Sequence, residues 1–290
     1  MKAMSTSLPP IFVSHGSPMI ALEPGDAGAF LQRLGPAIDA AFGRPKAMVS
    51  VSAHTAARVP VVLGAARHEA IYDFGNFDSR LNELRYDAPG DPALATRLTA
   101  LLRDAGIAAR QVDEGGLDHD AWTALRYIYP QADIPIVPLA FVLGDPPQKQ
   151  FELGAAIASL ADDGVLVLGS DSITHNLRRV FAGGGLHPDK ARPEIPESAA
   201  FRRWFAERAA ARDWEALFAY RAQAPHAADM HPTDEHLLPW YVAAGAGGRG
   251  HAPVRIHASA TLGSLGMDAY AFGAPALQLA DALQAEPAPA

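Results

Sequence analysis

Cysteine is missing from this 290-residue chain. Its absence excludes disulfides, cysteine-ligated iron–sulfur clusters and thiolate zinc sites, so any bound metal must be held by nitrogen and oxygen. Positive charge is in short supply: 24 Lys and Arg stand against 32 Asp and Glu, a net charge of −8. That balance argues against a nucleic-acid partner, which favours a basic surface. Long apolar runs are lacking too. The longest uncharged one, Ile134–Gly144, is bounded by Asp133 and Asp145 and contains two prolines. It is too short to span a bilayer and reads as a buried strand. No secretory leader shows in the first ten residues, so the expected setting is the cytoplasm, away from membranes. Phosphate-binding and nucleophile motifs are absent as well. No Gly-x-Gly-x-x-Gly follows the first strand, no Walker-type loop occurs, and Gly263-Ser-Leu-Gly lacks the spacing of a nucleophile elbow.

What is present is an ordinary globular composition, 49% hydrophobic and 19% charged, able to bury a sizeable core. Strand-like runs (11–13, 48–52, 59–64, 134–142, 164–168, 254–259 and one near Ala269) alternate with helical ones. Between the first two strands lies a helical stretch that Gly35-Pro36 is expected to break, Pro36 opening a second short helix. The clearest helix is 91–105. It carries Leu94, Leu98, Leu101, Leu102 and Ala105 on one face, Asp91 at its start and Gly106 after its end. Further helices are expected over 148–160, 194–211, 214–222 and 234–243. The expectation is an α/β fold: one domain over residues 1–290, a central mixed sheet flanked by helices, the active site at the carboxyl ends of the strands. Gly183–Gly185 and 243–250 read as loops, and the Ala/Pro-rich tail 285–290 as frayed.

The histidines carry the chemical signal. Ile11–Val13 runs into Ser14-His15-Gly16-Ser17-Pro18, Met48–Ser52 into Ala53-His54, and Val165–Leu168 into Gly169-Ser-Asp-Ser-Ile-Thr-His175. An imidazole at a strand exit, followed by a turn, sits at the mouth of a sheet. His119 and His236 lie at expected helix starts, His236 behind a Thr233 N-cap. His68, His187, His226 and His251 read as surface residues, His257 as structural, and His231 as a residue that helps to cap the following helix. Any single histidine has an ordinary packing explanation. Five that converge allow a division into metal ligands and a proton-transfer base, because imidazole serves as both.

Several segments occur together and in order: Phe12-Val-Ser-His-Gly-Ser-Pro-Met, Val51-Ser-Ala-His, Tyr72-Asp-Phe-Gly-Asn-Phe, Tyr86-Asp-Ala-Pro-Gly, Gly116-Leu-Asp-His-Asp-Ala-Trp, Thr174-His-Asn-Leu, Pro232-Thr-Asp-Glu-His-Leu-Leu-Pro and Gly263-Ser-Leu-Gly-Met. This series resembles the class III extradiol ring-cleavage dioxygenases, in particular their DOPA 4,5-dioxygenase-like branch, related to the catalytic subunit of protocatechuate 4,5-dioxygenase. The resemblance implies a non-haem Fe(II) enzyme that opens a catechol ring beside its two hydroxyls with O₂. It also implies roles: His15, His54 and His236 as metal ligands, His175 as the acid/base, and His119 as the residue that holds a substrate hydroxyl or oxygen. Asp171 and Tyr72 are the substrate contacts it suggests; Phe74, Phe77 and Trp122 are further candidates for the pocket wall, with core packing favoured for Phe74 and Trp122. Three neutral ligands leave the ion its full charge and suit Zn(II) as well as Fe(II). Asp171 stands where the branch has asparagine, and Asn76 and Asp78 where it has Gly and Pro. Two rivals remain: a zinc-dependent hydrolase with His175 as base, and a non-enzymatic binding protein of the Memo type.

Overall fold

The computed structural model describes residues 7–75, 77–182, 185 and 192–285. Most of one α/β domain hangs on a nine-stranded mixed sheet: β1 (Ile11–Ser14), β2 (Ala47–Ser52), β3 (Ala56–Ala57), β4 (Val61–Leu63), β5 (Arg110–Val112), β6 (Ile136–Val142), β7 (Val165–Asp171), β8 (Val254–His257) and β9 (Ala269–Ala271). Its order is β8-β9-β1-β7-β2-β6-β4-β5, with β3 pairing beside β6. The four central strands β1, β7, β2 and β6 are parallel, while β9 joins β1 and β4 joins β6 antiparallel.

The central strands read as unbroken apolar runs because helices cover both faces. One face carries the helices Pro147–Ala155 and Leu238–Gly247, which pack against each other. Its core holds Phe12, Val49, Val51, Phe201, Phe205 and Trp240. The other face carries Gly25–Phe42, His119–Ile128 and Ala276–Gln284 over Ile11, Val13, Met48, Leu166 and Trp122. Each of these large side chains contributes about 1.5–3 kcal/mol by leaving water.

Asp91 caps Pro92–Asp104, its side chain accepting from the Leu94 amide. Several boundaries moved. Gly25–Phe42 is one continuous helix through Pro36. Gly35 serves there as a contact point instead of a break: a Cβ at Gly35 would come within 2.0 Å of the Ile128 carbonyl, so packing on the neighbouring helix holds the turn together. The expected helix 148–160 stops at Ala155 and resumes as a 3₁₀ segment, Ala158–Asp163. The expected 234–243 helix starts four residues late, at Leu238, and runs to Gly247, absorbing most of the glycine-rich stretch read as a loop. The strand 164–168 continues to Asp171, since Ser170 and Asp171 keep their ladder partners Val13 and Ser14. Gly183, Gly184, His187, Asn76 and the tail beyond Ala285 lie outside the described residues. Among the described residues no helix is long and apolar enough to cross a membrane.

Candidate active site

Strand register builds the site. Ser14 of β1 lies opposite Asp171 of β7, and Ser52 of β2 lies opposite Ser170. The three strands therefore end level with one another, and the residues that follow emerge at one edge. The ladder extends one step further, the His15 amide donating to the Asp171 carbonyl at 2.8 Å. Gly16 then turns the chain with φ +72°, where a Cβ would meet the Met267 sulfur at 2.6 Å. His15 is thereby fixed at the strand end, almost fully buried.

His119 comes from the helix His119–Ile128, which Asp118 caps by accepting from the Ala121 amide. Asp118 also accepts from Ser52 Oγ at 2.7 Å and from Thr55 Oγ1, tying the helix start to the end of β2. Burial and the nearby Asp120 push its pKa up to about 6. His236 sits on a turn ahead of Leu238–Gly247 and not inside the first helical turn expected for it, and His175 lies in the irregular stretch ahead of Leu177–Ala182. Thr233 does not cap a helix; its hydroxyl donates to Glu235.

The structure gathers His15, His54, His119, His175 and His236 around one cavity of about 250 Å³. The ring centroids of His54 and His119 are 4.3 Å apart, and His175 stacks on His236 at 3.6 Å. Three carboxylates share the cavity. Asp171 is buried, with Oδ2 2.6 Å from His236 Nδ1, so this candidate substrate contact is engaged with an imidazole. Asp73 reaches His119 Nδ1 with Oδ1 at 2.8 Å and His54 Nδ1 with Oδ2 at 3.2 Å. Asp120, wholly buried, sets Oδ1 3.0 Å from His15 Nε2, 3.3 Å from His119 Nε2 and 3.8 Å from His54 Nε2. Burial opposes a charge on His54, but Asp73, Asp120 and Asp171 outweigh it and push its pKa up to about 10. His175 goes the other way: burial, with His236 and His231 nearby, keeps it neutral well below the ordinary imidazole range.

The atoms that could share an ion fall into overlapping groups: His15, His119 and Asp120; His54, Asp171 and His236; His54, Asp73 and His119. Neither His54 nor His236 stands in one such group with His15, although all three line the cavity. The charge expected of three neutral ligands also changes, because Asp120 and Asp171 bring buried carboxylates to the same place. Sequence reading passed over Asp120 and Asp73. The only signal was their position inside two of the quoted segments, Gly116–Trp122 and Tyr72–Phe77.

The aromatic candidates separate. Phe74 and Phe77 line the cavity, so Phe74 serves both core and wall. Trp122 is packed in the core with its indole donating to the Ile71 carbonyl. Tyr72 is not among the lining residues; its hydroxyl donates to the Leu84 carbonyl at 2.5 Å. Outside the site, His68 is fully buried and not on the surface, because it fills the space beside Gly90 and Gly115. His231 caps nothing either: its Nε2 lies 2.7 Å from the Ile173 carbonyl in the core. His257 stacks on Phe30.

A nest of imidazoles and carboxylates at the carboxyl ends of parallel strands is the site of a metal-dependent enzyme. The family model described as the catalytic LigB subunit of aromatic ring-opening dioxygenase matches residues 9–272. The chain belongs to that family and is a non-haem extradiol dioxygenase. It is 35% identical over 263 residues to a 4,5-DOPA dioxygenase extradiol of Beta vulgaris, covering 90% of this chain and 95% of that protein. It is 39% identical over 184 residues to the enzyme of that name from Escherichia coli K12, covering 63% and 66%. The crystal structure of an uncharacterised Escherichia coli K12 protein superposes with a TM-score of 0.71 at 29% identity, covering 92% of this chain and all of that one. These matches set aside the hydrolase and the binding-protein readings.

Proposed function

We propose that the protein opens a catechol-type substrate beside its two hydroxyls, with O₂ as co-substrate and Fe(II) as its metal, in the cytoplasm. The observation that carries this reading is the convergence of five imidazoles and three carboxylates on one cavity. The donor set fits the ion: it is nitrogen and oxygen only, and Asp120 Oδ1 is a buried carboxylate oxygen without a hydrogen-bond donor, facing imidazole nitrogens. His15, His54 and His236 are the proposed ligands. Fe(II) supplies open positions for catecholate and O₂ and the electrons that Zn(II) cannot cycle; Zn(II) remains a metal this donor set accepts in isolated protein.

The chain's own groups supply the rest. His175, neutral at physiological pH and lining the cavity, takes the proton that a catechol hydroxyl sheds and later returns it. His119, which lines the cavity, holds a substrate hydroxyl; it donates through Nδ1 to Asp73, which fixes its ring, with Nε2 3.3 Å from Asp120 Oδ1. Asp171 acts on the substrate side only through His236, which it orients. Phe74 and Phe77 give the ring an apolar wall. Tyr72 has no direct substrate role in this reading. The relatives' names make DOPA the first substrate to try.

The test is aerobic incubation of Fe(II)-loaded protein with DOPA and a panel of other catechols, following oxygen uptake and the colour of the ring-opened product. Uptake that requires Fe(II) and is lost with Zn(II) is expected. Absence of uptake with every catechol would overturn the reading.

A further inference from the structure

Proton bookkeeping around Asp120 shows a feature that the ligand set above does not use. Ser170 Oγ donates its single proton to the Asp120 carbonyl at 2.8 Å. The His15 Nδ1 that faces the same Oγ at 3.3 Å must therefore be the donor in that contact. His119 Nδ1 and His54 Nδ1 both face carboxylate oxygens of Asp73, which only accept. When neutral, as a metal ligand must be, each of the three rings carries its proton on Nδ1 and presents the lone pair of Nε2. All three Nε2 atoms point at one atom, Asp120 Oδ1, at 3.0, 3.3 and 3.8 Å. That oxygen is fully buried and has no hydrogen-bond partner among the described residues.

Four lone-pair donors crowded around one point repel unless a cation stands between them. The spacing suits a metal. Ligands at about 2.0–2.2 Å from one ion lie about 2.8–3.6 Å apart at neighbouring positions, a span that holds the His15 and His119 contacts to Asp120 Oδ1 at 3.0 and 3.3 Å. Asp120 is also held for the task. Its second oxygen accepts from the Ala53 amide at 3.1 Å and lies 3.0 Å from Ser52 Oγ, which aims Oδ1 at His15.

We propose that Asp120 is itself a metal ligand, its Oδ1 sharing one divalent ion with Nε2 of His15. The centre then gains a carboxylate from the helix His119–Ile128, and the ion's charge is partly neutralised within the protein. This rests on the reading that His15 holds the metal.

The experiment titrates metal-free full-length protein with Co(II) against a chromophoric chelator, in wild type and in the isosteric D120N. The expected result is binding at least about tenfold weaker in D120N, with displaced ligand-field bands at saturating Co(II). Wild-type-like bands, or a loss smaller than tenfold, overturn the proposal and mean that protonated imidazoles are what Asp120 neutralises. Failure of the wild type to bind overturns the metal reading along with it. If D120N does not fold, a crystal structure of the Zn(II)-loaded wild type decides. An Asp120 oxygen within about 2.5 Å of the ion supports the assignment, and a longer distance overturns it.

Discussion

Asp171 and His236, 65 positions apart in sequence, face each other with Oδ2 and Nδ1 separated by 2.6 Å. Burial pushes the Asp171 carboxyl up from its ordinary range, against the pull of His236, so the two groups hold a proton between them. A carboxylate behind an imidazole fixes the ring and leaves its other nitrogen for the ligand. Asp171→Asn is expected to weaken metal binding by about 10–100-fold while leaving the fold intact. Chelator competition with Fe(II) or Co(II) measures it, and an unchanged affinity would show that His236 needs no partner.

His15 and His175 line the same cavity, yet opposite outcomes are expected when each is removed. His15→Ala should strip the protein of stoichiometric metal, read by elemental analysis. His175→Ala should keep the metal and lower turnover by about 10²–10⁴-fold, the range for loss of a general base. A His175 variant that loses its metal would assign that ring to the ligand set.

Gly16 turns directly after His15 and leaves no room for a side chain beside Met267. Gly16→Ala adds both left-handed strain and a clash, expected to cost about 1–3 kcal/mol in chemical denaturation. Because the strain falls one residue from His15, metal affinity should fall as well. Pairing it with Met267→Ala should recover the part due to the clash and none of the backbone strain.

His231 is buried, and burial lowers its pKa to about 3 despite the Ile173 carbonyl at its Nε2. The unfolded chain takes up this proton near pH 6.5, the folded one only near pH 3. The unfolded state therefore binds more protons between those values, and stability falls as pH drops through that window. Above pH 6.5 the residue adds no slope. Denaturant midpoints from pH 7 to pH 4 should decline less steeply in His231→Gln. Parallel slopes in the two proteins would mean that other groups govern acid unfolding.

Some of this protein is written locally. An apolar run followed by His15 and a Gly/Pro turn can only be a strand exit, because Gly16 and Pro18 end the extended backbone. Asp91 and Gly106 bracket a helix because a side-chain cap and a left-handed terminus are properties of a few consecutive residues. The alternation of strands and helices then orders the sheet with its parallel strand ends on one edge. The five cavity histidines were legible for the same reason. Proline at position 36 misled because the contact that sustains the helix, Gly35 on Ile128, comes from a distant segment.

The carboxylates belong to the tertiary structure. In the sequence Asp120 is an acidic residue in the first turn of a helix, favoured there by the helix dipole and in no need of any other role. Asp73 is one acidic residue between the aromatic Tyr72 and Phe74. What gives them meaning is the register of β1, β7 and β2. It sets His15, Asp171 and His54 side by side and brings the start of His119–Ile128 beneath them. Residues 105 positions apart meet because three strands end level, and no local pattern encodes that distance. The sequence could name the imidazoles; the partner of each nitrogen, and with it which lone pair is free for a metal, was decided by the fold.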